Sequence, residues 1–238
     1  MKNNLTSLLS LLAFLSFLIA AGSPDRLARY ADNFEKIQIE VKSKRSEHEK
    51  LDALEMGFQF FMTISKDDGS DFLARSFAGA LGSQRSLHMA NLGDKAKNVK
   101  EAILLLDDAV RDARVSNNEQ ELLQTLRNRA ETYSSLPAFF NKGEIAVQDS
   151  RATLDLGIKL KLAPEQMVSL NLLRVRALCR SSKPPKNGKS DKTDQTDRMA
   201  RIKNAQALFN LTKTQAHDIN FKSQDEILEA EKALDEAK

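Results

Sequence analysis

The sequence predicts an all-α protein in which antiparallel helical hairpins stack as a short right-handed solenoid. Three observations carry that prediction. Only nine glycines and five prolines punctuate 238 residues, tryptophan is absent, and the stretches between breakers are rich in good helix formers. Apolar residues recur at a helical spacing, with no convincing run of alternating strands. One stretch also repeats itself without a gap 44 residues later.

Taken in order, residues 1–22 differ in kind from the rest. Lys2 precedes the apolar run LTSLLSLLAFLSFLIAAG, and Ala20 and Gly22 place small residues before Ser23. This is the pattern of a secretory signal peptide, which makes the protein exported, either periplasmic or secreted. Retention of the segment would make it a membrane anchor, the one route to a membrane that the sequence offers. Residues 23–69 follow as an N-terminal hairpin or cap, with helices expected at 25–45 and 47–65. The span 70–220 holds the repeats, with helices at 70–92, 98–115, 118–136, 143–161, 164–181 and 196–216. A polar stretch without apolar residues, 181–198, carries a Pro pair and a Gly and reads as a mobile loop. Residues 221–238 form a C-terminal capping helix near 223–237. Helix starts are marked by Asn98 with Glu101 three residues on, by Ser223 with Glu226, and by Pro164 followed by Glu165.

The self-similarity explains why alanines sit where a helix would want large residues. Residues 86–110 run over 130–154, so that Ser86 meets Ala130, Leu92 meets Leu136 and Ala102 meets Ala146. A weaker third copy sets RVRAL at 174–178 against RNRAE at 127–131. In the second helices, Ala102, Leu106 and Ala109 share one face, as do Ala205, Phe209 and Thr212. A face of small, large, small admits a neighbouring helix at close range. A single hairpin cannot bury its apolar face, so hairpins must stack.

These residues resemble the tetratricopeptide-repeat family over about 70–220. Ala130 with Tyr133 fits the family's first helix; Ala102 with Leu106 and Ala205 with Phe209 fit its second. LGD at 92–94 resembles the turn that closes the first helix. The spacing of 44 exceeds the usual ~34 and is similar to the longer-helix version found in kinesin light chains. The resemblance implies a concave wall lined by the first helix of each hairpin, which grips extended peptides or partner helices of another protein. Matched residue by residue, it places Gln124, Arg127, Glu131 and Ser134 on that wall from one copy and Asn171, Arg174 and Leu178 from the next. Arg127 and Arg174 would form a basic strip for an acidic segment or chain terminus, or pair with neighbours such as Glu131 and Glu165.

Composition excludes other classes. A net charge of +3, with acids and bases interleaved, does not make a nucleic-acid track. His48, His88 and His217 lie far apart, with no second His or Cys at a ligand spacing, so neither a metal nor a cofactor is expected. No phosphate loop or nucleophile elbow occurs, and the protein does not read as an enzyme. Asp107, Asp108 and Asp112, with Arg111 close by, read as a solvated, partly paired helix face. The single Cys179 has no disulfide partner and is expected as a small buried hydrophobe. The leading expectation is a protein-binding scaffold, the alternative a structural or anchored envelope component.

Overall fold

A computed structural model of the chain describes residues 25–182 and 192–237. The expected signal segment and half of the polar stretch, residues 183–191, therefore lie outside the described residues. The rest is helical: α1 (Asp25–Ser43), α2 (Glu47–Asp67), α3 (Phe72–His88), α4 (Leu92–Val115), α5 (Glu119–Ser135), a 3-10 turn (Ala138–Phe140), α6 (Gly143–Lys159), α7 (Pro164–Ser181), α8 (Lys192–Asp218) and α9 (Gln224–Ala237). No strand occurs among the described residues. They divide into two compact units, 25–129 and 130–237, with the division falling inside α5.

In the first unit α3 is the central helix, packed against both α2 and α4. Its sequence makes that possible. Gly79 and Gly82 leave the helix surface bare, so that Leu106 and Ala102 of α4 and Phe58 of α2 close in; a Cβ built on Gly79 would stand 2.7 Å from the Leu106 Cγ. Ala102, Leu106 and Ala109 are all buried, and their small, large, small face is the one that meets α3. Aromatic rings fill the other side: Phe61 of α2 stacks on Phe77 of α3 at 5.2 Å, with Phe34 of α1 at the same distance from Phe77. Arg85 of α3 is buried among this layer, its guanidinium 4.1 Å from the Phe58 ring centroid. It donates to Glu55 of α2 and to Asn98 of α4.

Helix ends are capped by side chains. Ser46 and Glu49 form a reciprocal capping box at the start of α2. Asp71 accepts from the Ala74 N–H at the start of α3. Asn91 accepts from the N–H groups of Gly93 and Asp94 and so opens α4. This corrects the expected start at Asn98, which lies a turn and a half inside the helix and donates its amide to the Asp94 carbonyl. It also corrects the reading of LGD as the close of a first helix. Leu92 begins the second helix instead and is 80% exposed, whereas its aligned partner Leu136 is buried.

In the second unit α7 is central, packed against α6, α8 and α9. Val168, Leu172, Val175 and Leu178 of α7 share a core with Phe209 of α8 and with Ile227 and Leu234 of α9. Pro164 opens α7 as expected, although the cap is completed by Gln166, whose side chain accepts from the Ala163 N–H at 3.0 Å. The small face recurs: Ala146, Ser150 and Thr153 in α6, and Ala205, Phe209 and Thr212 in α8, are buried. Ser223 precedes α9, but its hydroxyl makes no hydrogen bond. Residues 192–198, expected as loop, are the first turns of α8. The stretch lacks apolar residues because Gln195, Thr196 and Asp197 are exposed, and a solvated helix end needs no apolar face.

Candidate binding surfaces

The seven residues assigned to a concave wall divide between the units. Gln124 and Arg127, in the first, are each 6% exposed. Gln124 donates to Asn128 at 2.8 Å, and Asn128 donates onward to Ser76 of α3 at 3.0 Å. In the second unit Leu178 belongs to the core. Ser134 returns its hydroxyl to the Ala130 carbonyl at 2.7 Å. Glu131 is exposed and accepts from Arg176 at 3.3 Å. Asn171 and Arg174 are half-buried. Gln124, Arg127 and Leu178 are therefore inside the protein and not on an open wall. Burial pulls the Arg174 guanidinium down, Arg151 reinforces this, and Asp155 opposes it.

Two residues further on from Arg127 and Arg174 lie arginines that join helices. Arg129 of α5 donates to Asp107 of α4 at 2.9 Å. Arg176 of α7 donates to Glu229 of α9 at 2.7 Å as well as to Glu131. Burial lowers the Arg176 pKa, but the carboxylates of Glu131, Glu229 and Glu226 outweigh it and hold the guanidinium up. Glu229 is raised, first by burial and then by its acidic neighbours Glu131 and Glu226, against the pull of Arg176. Asp112 belongs to the same kind of joint: besides Arg111 at 3.4 Å, it holds Arg75 of α3. At the start of α1, Arg26 reaches the buried Glu121 and Tyr30 donates to the buried Asp71 at 2.6 Å. Burial and the adjacent carboxylate push the Tyr30 phenol well up.

A cleft lined by Tyr133, Pro137, Asn141, Lys142, Glu144 and Arg180 measures about 40 Å³, room for a water-sized group and far below the ~300–1,000 Å³ of ligand pockets. Among the described residues no three His, Cys, Asp or Glu side chains gather as metal ligands. His48 and His217 are exposed, and His88 meets Glu47 at 2.5 Å. Cys179 is buried.

What the first unit does present is apolar. On α2, Met56 and Phe60 are 60% and 43% exposed and lie one turn apart on one face. The Phe60 ring rests edge-on against buried Phe61 at 5.1 Å. Across the α3–α4 turn, Leu87 and Leu92 are also exposed. The signal that could have found Met56 and Phe60 is their spacing of four, which reads equally well as core. Among the described residues no helix is long and apolar enough to cross a membrane. No protein-family model, curated protein or solved structure matches the chain.

Proposed function

We propose that the protein is an exported, tetratricopeptide-like helical scaffold that binds another protein, and that it does so through the outer face of α2. The observation that supports this reading is the Met56–Phe60 pair. Methionine and aromatic side chains are enriched where proteins meet, and a few such anchors carry most of the binding energy. Phe60 is held by Phe61, so little side-chain freedom is lost when a partner covers it. The partner is a protein segment with an apolar face, such as an amphipathic helix laid across α2. The recognition surface thus shifts from the basic strip expected of Arg127 and Arg174 to an apolar one, because Arg127 is spent inside the helix layers.

The test is a photo-crosslinking residue at position 60 of the folded protein, activated in an extract of its native envelope. The reading expects one dominant adduct that is competed away by unlabelled protein and is absent when the crosslinker stands at exposed Asn117. Adducts that do not compete, or that form equally from position 117, overturn it.

A further inference from the structure

We infer that one end of the first unit is a peripheral docking surface for an anionic phospholipid bilayer, independently of any protein bound on α2. Two turns meet at this end. His88, the last residue of α3, contacts Glu47, the first of α2, and Gln38 of α1 donates to Gln84 of α3 at 2.8 Å. The α1–α2 and α3–α4 turns are therefore neighbours. From the second turn project Leu87 and Leu92, 69% and 80% exposed. At the start of α4 the Asn91 side chain takes the N–H groups of Gly93 and Asp94, which lowers the cost of bringing this turn out of water. Two exposed leucines at a side-chain-capped turn can enter the headgroup layer, where the remaining backbone groups still meet headgroups and water.

Charge selects the kind of surface. Arg45 on the first turn and Lys95 and Lys97 beside the second make no ion pair among the described residues, three cations against the acids Asp94 and Glu49, the latter engaged in the Ser46 capping box, whereas Lys44 and Lys50 are matched by Glu40 and Glu47. Unmatched cations around exposed leucines, on long stems that let the charged ends rise to headgroup level, are complementary to acidic lipid. At the opposite end the charges are matched instead: Asp108 by Arg111 at 2.8 Å, and Asp112 by Arg75 and Arg111. An anionic bilayer is therefore drawn to the end with unmatched cations, which sets the orientation. A bilayer fits better than a protein groove because lipid headgroups rearrange around scattered cations, while a protein must supply carboxylates at matching places.

The test uses the full chain with Cys179→Ala, labelled with an environment-sensitive fluorophore at Ala90→Cys between the leucines or, as control, at Asn117→Cys at the far end. Vesicles of mixed phosphatidylglycerol and phosphatidylcholine should blue-shift position 90 alone, and phosphatidylcholine alone should leave it unchanged. Arg45→Glu with Lys97→Glu should weaken the anionic response at least about tenfold, with the circular dichroism melt retained, and Leu87→Ser with Leu92→Ser should abolish it. No shift at position 90, equal shifts at 90 and 117, or an equal response to phosphatidylcholine overturns the proposal. So does a crosslink from position 90 to an acidic protein without any lipid response.

Discussion

Gly79 of α3 faces Leu106 of α4 so closely that a Cβ at 79 would lie 2.7 Å from the leucine Cγ and 3.1 Å from the Ala102 carbonyl oxygen. Leu106 is fully buried and has nowhere to move. Gly79→Ala gains about 1 kcal/mol of helix propensity but must overpack this contact at about 1–3 kcal/mol. Overpacking wins because the clashing atom is the branched Cγ of a fully buried leucine, and the tight contact beside it is a backbone oxygen. Urea unfolding should show Gly79→Ala destabilised by about 1 kcal/mol and Gly79→Val by more; a stabilised alanine variant would mean that the helices do not approach here.

Arg129 and Asp107 join α5 to α4 across a gap of 22 residues in sequence. The guanidinium is nearly buried and the carboxylate half-exposed, so the pair is worth more than a surface ion pair of ~0–1 kcal/mol. A double-mutant cycle with Arg129→Met and Asp107→Asn should give a coupling of about 1–3 kcal/mol. Additive single effects would reduce the pair to a chance contact.

Glu47 is held down to about 2 by hydrogen bonds from Lys50 and then His88. A carboxylate depressed in the folded state contributes stability above its ordinary value near 4.5, and that contribution disappears as the pH falls through about 2. Carbon NMR of the Glu47 carboxyl should titrate with a midpoint near 2, and Lys50→Met with His88→Gln should return it towards 4.5. An unchanged midpoint in the double variant would remove the contact between α2 and α3 from the account of this end.

Cys179 sits 1% exposed in the core shared by α7, α8 and α9. A thiol reagent should leave the native protein unmodified and react at the rate at which this unit opens. Rapid stoichiometric labelling of the folded chain would contradict the packing of these helices.

The helices were legible because each presents apolar residues at helical spacing to a layer beside it. Where a helix starts in solvent the signal fades, which is why the first turns of α4 and α8 read as turn or loop. Asn98 and Glu101 have a capping spacing, but Asn91 starts the helix earlier and leaves Asn98 to bond Arg85. The aligned copies set Arg174 and Arg176 over Arg127 and Arg129, and Arg127 and Arg174 are the two expected as the exposed strip. Arg127 and Arg129 differ by some 200° around a helix, and nothing in a single sequence says which side meets Asp107. α5 hid itself for a related reason: Gln124, Thr125, Asn128 and Arg129 look like a solvated face, yet all are buried. Their partners Ser76 and Asp107 come from other helices, at separations that carry no periodic signal.

The central claim is that α2 presents a built protein-binding face. It is tested most directly by isothermal titration of the protein captured at position 60, purified, against the wild type and a Met56→Ser/Phe60→Ser variant. The claim predicts about 10–100-fold weaker binding by the variant, which stays folded by circular dichroism with its melting temperature lowered only by loss of the Phe60–Phe61 ring contact. Equal affinities for the two would contradict it.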